Sequence, residues 1–200
     1  MSDHADIPED TESITELSVE MAEALSKSEE GALYLSGLTS LSDTAAEALF
    51  KFKGDGIHLD GLTSLSDGAA KALSKFKGSN LNLSGLASLS DTAAEALGKL
   101  EGFDSDLEST LWLDGLTSLS DGAAESLSKF KGPCLELNGL TSLSDGAAKA
   151  LSRFKGDSLC LGGLTSLSDG AAEALSKFEG ECLVLEDGIL SPTERQKRFG

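Results

Sequence analysis

The chain is poor in the residues that usually advertise chemistry. Its 200 residues include three cysteines, two histidines, one tryptophan, one tyrosine and three prolines. Three cysteines are an odd count and supply no disulfide framework. Basic side chains number 16 against 34 acidic ones, a formal charge of −18. That balance speaks against nucleic acid, whose phosphates demand a clustered basic face. It speaks equally against an anionic membrane surface. No run of 18 apolar residues exists to span a bilayer. The segment from Met1 to Asp6 is acidic and lacks the apolar core of a secretory signal, so the expected compartment is the cytoplasm.

What the chain does have is repetition. The string Gly-Leu-Thr/Ala-Ser-Leu-Ser-Asp occurs six times, with glycines at 37, 61, 85, 115, 139 and 163. The spacing is 24 residues except for one interval of 30. Self-similarity at such a period is the mark of a solenoid, in which each unit buries its apolar face only against its neighbours.

Each unit has two halves. Leu-x-Leu, as at Leu81 and Leu83, alternates with period two and predicts a very short strand. The second half is helical: Leu65, Ala69, Leu73 and Phe76 make one apolar stripe. Ser66 is suited to accept a hydrogen bond from an orphan amide of the first turn. Asp67 then sits at the positive end of the helix dipole, and Lys75 and Lys77 at the other. Gly78 is expected to stop the helix in a left-handed conformation. The outer helix face alternates in sign between units, as in Glu47, Lys71, Glu95 and again Glu125, Lys149, Glu173.

The run Leu-x-Leu-x-x-Leu-x-x-Leu-Ser-Asp-x-Ala-Ala-x-x-Leu resembles the leucine-rich repeat, most closely its cysteine-containing class. The resemblance implies an α/β solenoid with short parallel strands on a concave face, helices on a convex face, and a role in binding another protein. Two positions depart from that pattern. The site that class fills with Cys or Asn is Leu38, Leu62, Leu86, Leu116, Leu140 and Leu164 here, so its polar ladder to the loop backbone is missing. The leucine usually found before the strand pair is often glycine, as at Gly54, Gly78 and Gly132.

The domain reading follows. Residues 1–12 are an acidic tail expected to be disordered. Residues 13–190 are the solenoid, with a degenerate N-terminal cap unit over 13–35 and an insertion near 101–110. Residues 191–200 are a C-terminal cap helix, opened by the capping box Ser191-Pro192-Thr193-Glu194.

Function is sought where the units differ. Loops and helices hardly vary, whereas the residue between the two leucines changes every time: Tyr34, His58, Asn82, Trp112, Glu136, Cys160, Val184. Alternation turns these side chains away from the core. The only Tyr and the only Trp both stand in this column, and exposed aromatics are typical binding anchors. The candidate partner-binding set is therefore Tyr34, His58, Asp60, Asn82, Trp112, Asp114 and Glu136. The acidic members favour a basic or neutral protein partner.

Other chemistry is weakly supported. His58, Asp60, Ser36 and Ser84 form a triad by inventory only, with no oxyanion donors and no pocket, so no catalytic residue is assigned. Asp104, Asp106 and Glu108 lack the glycine and terminal glutamate of a calcium loop. Cys134, Cys160 and Cys182 fall on the same face of successive strands. Their diagonals of roughly 7–8 Å are long for a disulfide, and a soft metal would need closer approach and a further ligand. No metal and no cofactor are assigned. The reading is a non-enzymatic protein-binding scaffold. The alternatives are a structural, self-assembling repeat protein and, behind it, a metal-binding protein using the cysteines.

Overall fold

The computed structural model describes residues 10–100 and 109–186. The acidic tail up to residue 9, most of the 101–110 insertion and the 191–200 cap helix lie outside the described residues.

The architecture is α/β, with seven short helices alternating with seven parallel strands among the described residues. The strands are β1 Ala32–Tyr34, β2 Gly56–His58, β3 Asn80–Asn82, β4 Thr110–Trp112, β5 Cys134–Glu136, β6 Ser158–Leu161 and β7 Cys182–Leu185. They form one open sheet in chain order. The helices are α1 Val19–Leu25, α2 Asp43–Leu49, α3 Asp67–Leu73, α4 Asp91–Leu97, α5 Asp121–Leu127, α6 Asp145–Leu151 and α7 Asp169–Leu175. Each packs on the next, so helices and strands stack in step.

Every strand pair is in strict register: Leu33 faces Ile57, which faces Leu81, Leu111, Leu135, Leu159 and Leu183. A one-residue slip would turn this buried row out to water, so the leucines fix the register. In β1 to β5 the strand is centred on the first leucine of Leu-x-Leu, whereas β6 and β7 span both, Leu161 pairing with Leu185. In the first five the second leucine continues the ladder beyond the strand end, as in Leu59 N to Asn82 O at 2.8 Å and Leu83 N to Trp112 O at 2.9 Å. The sheet also passes the insertion unbroken, since β3 and β4 pair as the other strands do.

The helices are shorter than the apolar stripe suggests. Leu65 precedes the cap of α3, and Phe76 lies in the turn after it, yet Phe76 is fully buried. There it stacks on Phe52 with centroids 6.5 Å apart. Phe130, Phe154 and Phe178 form a second stack at 6.2 Å spacing. In the unit between the two stacks Leu100 takes the phenylalanine's place, and it too is buried.

All seven helices are capped by serine. In α3 the Ser66 Oγ accepts from Ala69 N at 3.0 Å. The same hydroxyl donates to the Asp at the head of the preceding helix, Asp43 Oδ1, at 2.5 Å. Ser90–Asp67, Ser120–Asp91, Ser144–Asp121 and Ser168–Asp145 repeat this bond. A side-chain ladder therefore does link the units. It runs along the helix N-termini instead of through the position where Leu62 and its equivalents fill the core.

Gly78 does not act as a left-handed stop. The helix before it closes at Ser74 with φ −61°. A Cβ on Gly78 would lie 2.2 Å from Phe76 Cζ and 2.7 Å from Asp55 O. Glycine is there because the phenylalanine and the preceding unit leave no room. Gly61 is similar: a Cβ there would meet Ser36 O at 2.0 Å.

The first unit begins with a 3-10 helix, Thr11–Ser13, capped by Asp10. Residues 10–12, assigned to the tail from sequence, thus take part in a capped turn, because the Asp10 carboxylate accepts from Glu12 N at 3.1 Å. Ile14 beside it is buried in the core. On the outer helix face Glu95–Lys99, Glu125–Lys129 and Glu173–Lys177 pair one turn apart, and Lys155–Glu179 joins neighbouring units. All are exposed, so solvent and salt screen them and each contributes little. Among the described residues no helix is long and apolar enough to cross a membrane.

Candidate functional site

The face of the sheet turned away from the helices carries three parallel rows of side chains. The central row runs Tyr34, His58, Asn82, Trp112, Glu136, Cys160, Val184, each opposite the next. Because the flanking leucines must point inward, this row must point outward. Tyr34 is 48% exposed; His58, Asn82, Trp112 and Glu136 are half-buried; Cys160 is buried.

Three of these residues form one aromatic cluster. The Tyr34 ring stacks on His58 with centroids 4.6 Å apart and planes 13° from parallel. The indole of Trp112 meets the other side of the group, 6.2 Å from the imidazole and tilted by 32°. Strands β2 and β4 stand two steps of about 4.8 Å apart, so the rings lean towards each other over β3. Asn82 leaves them room, because its Oδ1 turns along the strand to accept from Ser84 N at 2.9 Å. Burial in the cluster lowers the His58 pKa from its usual 6.5, and the Asp60 charge raises it, the lesser effect. At neutral pH the stack therefore holds an uncharged imidazole.

Asp60 and Asp114 lie in the row beyond the aromatics, both half-buried. Asp60 accepts from the Ser36 hydroxyl at 2.9 Å. Asp114 accepts from Asn138 N at 2.9 Å. The serine that inventory placed beside His58 thus bonds to the aspartate instead. Tyr34, His58 and Trp112 are brought together; Asp60 borders them; Asn82 makes room; Asp114 and Glu136 belong to a second group further along.

That second group was not read from the sequence as a unit. Glu136 accepts from Asn138 Nδ2 at 2.6 Å and from the Cys134 thiol at 3.5 Å. Asn138 is itself held, its Oδ1 accepting from Gly162 N at 2.8 Å. Cys160 stands directly opposite Glu136 across β5 and β6. The two thiol sulfurs and a Glu136 oxygen all lie within 4.8 Å of one another. The expected diagonal of 7–8 Å describes the strand positions; the side chains turn inward and close the gap. The two thiols perturb each other's ionisation. The nearby Cys134 thiol raises the Cys160 pKa, with burial and the Glu136 charge adding to the effect, and the nearby Cys160 thiol lowers that of Cys134. The signal available in the sequence was the coincidence of Cys134, Glu136 and Cys160 at neighbouring outward positions.

On the opposite side, shallow grooves run between helices. That between α6 and α7 is lined by charged side chains such as Lys149, Arg153 and Glu173. They are solvated helix faces with mixed charge. No protein-family model matches the chain, and no curated protein matches it.

Proposed function

We propose that the chain is a protein-binding scaffold of the leucine-rich-repeat type, without chemistry of its own, and that its partner lies on the open sheet face around Tyr34, His58 and Trp112. The observation that carries this reading is the aromatic cluster. A soluble protein gains little by leaving three rings on an otherwise polar face. Rings already packed on each other, however, form an anchor that loses little freedom on binding. Stacked aromatic pairs contribute about 0.5–1.5 kcal/mol beyond area burial, enough to keep the platform in place before a partner arrives.

The chemistry around the platform narrows the partner. Asp60 borders the rings, Asp114 lies further along the same row, and the chain as a whole carries a charge of −18. A basic protein segment matches this, with a Lys or Arg side chain over a ring face. The regular units, with loops that hardly vary and a variable outward row, support the same reading: the scaffold is nearly constant and one face differs. The cytoplasm is the proposed compartment.

The test is capture from the source cells on immobilised full-length chain, beside a Tyr34→Ala/Trp112→Ala double variant. Direct titration of any captured partner follows. The partner should be retained by the parent chain and lost by the variant while circular dichroism stays the same. Equal retention by both would remove the reading. Light scattering against concentration distinguishes the self-assembling alternative, which would show growth in mass without any partner.

A further inference from the structure

We propose that Cys134, Glu136 and Cys160 form a binding site for a borderline-to-soft divalent cation of the Zn2+ and Cd2+ class, at the end of the open face away from Tyr34.

The ligand set is suited to such an ion. Two sulfurs and one carboxylate oxygen come from adjacent strands and converge within 4.8 Å of one another. A tetrahedral ion with bonds of about 2.3 Å to sulfur and about 2.0–2.2 Å to oxygen holds its ligands roughly 3.5–4 Å apart. Side-chain rotation of under about 1 Å per ligand atom closes the difference. Thiolates select soft and borderline ions over Mg2+ and Ca2+, which take oxygen ligands. The fourth position stays open to water.

Direct oxidation of the pair is a poorer fit. Cys134 pairs in register with Ser158, and Cys160 lies two residues further on. Strand separation of about 4.8 Å and an offset of two residues put the two Cα atoms roughly 8 Å apart, beyond the reach of an unstrained disulfide. A bridging ion spans that gap without moving the backbone. On binding, each thiol that becomes a ligand gives its proton to solvent and its sulfur lone pair to the cation; nothing is oxidised or reduced.

The surroundings are organised as a metal site's are. Asn138 donates to Glu136 at 2.6 Å and is itself fixed by Gly162 N and Asp114. Outer partners of this kind orient a ligand, and their loss typically weakens metal binding about 10–100-fold. Cys160 is buried, which limits its rotamers, while Cys134 is half-exposed and gives the ion a way in. Cys182 is exposed, opposite Ser158, and stands outside the group.

Full-length protein, kept reduced with a phosphine, is titrated with Cd2+. One ion should bind per chain, with thiolate-to-cadmium charge-transfer absorption in the ultraviolet, and Zn2+ should displace it. Trp112, opposite Glu136 in the register, should report the binding through its emission. Cys134→Ser and Cys160→Ser should each abolish the stoichiometric absorption, and Cys182→Ser should leave it. Asn138→Ala should keep the absorption while weakening affinity about 10–100-fold, and Glu136→Gln, which removes the ligand's charge, should keep it while weakening affinity at least as much. Thermal melts of the metal-free variants establish that each folds. Should Cys160→Ser fail to fold, the half-exposed Cys134 decides. Absence of the absorption in the parent protein, its survival in Cys134→Ser, or its loss in Cys182→Ser would overturn the proposal, as would unchanged affinity in Glu136→Gln.

Discussion

The imidazole of His58 lies flat against the phenol ring of Tyr34, 4.6 Å from centroid to centroid, and its other neighbour is the only indole in the chain. This arrangement makes the histidine readable. Burial lowers its pKa below 6.5 despite Asp60, so the unfolded chain takes up a proton at a pH where the folded chain still declines it. Stability is therefore complete above the unfolded value and falls as pH drops through 6.5 towards the folded value, then levels off. Trp112 emission, quenched by a nearby imidazolium, should titrate with a midpoint below 6.5 in the parent protein. His58→Gln should lose that titration and flatten the same stretch of the pH–stability curve. A midpoint at or above 6.5 would contradict the burial argument.

Trp112 should matter to binding more than to folding. It is half-buried on the outer face, while the adjacent Leu111 and Leu113 are fully enclosed. Trp112→Ala should weaken a partner identified by capture by more than about 1–2 kcal/mol, the range of an interface hot spot. Urea unfolding of the same variant should move far less than that of Leu111→Ala, for which removal of a core leucine costs about 2–5 kcal/mol. The comparison fails if the two variants are equally destabilised.

The ladder of serine and aspartate along the helix heads predicts coupling between units. Ser144 Oγ accepts from Ala147 N at 2.9 Å and donates to Asp121 Oδ1 at 2.5 Å. Ser144→Ala removes both bonds. The cap alone accounts for about 0.5–2 kcal/mol. Asp121→Ala removes one of them together with the charge at its own helix head, about 0.3–1 kcal/mol. A double-mutant cycle between them should show an interaction energy above about 0.5 kcal/mol across two units. Additivity within error would mean that the cross-unit bond contributes nothing measurable.

Much of this fold is written in the chain because a solenoid repeats its instructions. Serine caps, the period-two leucines and the helical alanines point the same way in unit after unit, and the stacked, parallel α/β arrangement follows from them. The outward direction of Tyr34, His58 and Trp112 was legible for the same reason. Their mutual stacking was not. It depends on Asn82 turning its side chain to the Ser84 amide, which is one of several rotamers open to it. Cys134, Glu136 and Cys160 were visible only as neighbouring positions, since strand spacing fixes backbone separations and not where two sulfurs meet. The reason for Gly78 was hidden too, because a clash with a neighbouring unit's carbonyl is a tertiary fact.

That distinction between glycines has its own consequence. Gly78 and Gly122 are both crowded, but by different things. A Cβ at Gly78 meets a core ring at 2.2 Å and the carbonyls of Asp55 and Gly54 at 2.7 Å, none of which can turn aside. A Cβ at Gly122 meets first the carboxylate end of Asp91, at 2.6 Å. The chain already shows that this second kind of crowding is tolerated. Thr92 occupies the equivalent helical position in α4, and Ser90 there still bonds to Asp67 at 2.5 Å. Gly78→Ala should therefore cost about 1–3 kcal/mol by overpacking. Gly122→Ala should be neutral or stabilise by up to about 1 kcal/mol, because alanine loses less backbone freedom than glycine in a helix. Thermal melts of the two variants decide the matter, and equal losses in both would mean that close approach is not what keeps glycine at position 78.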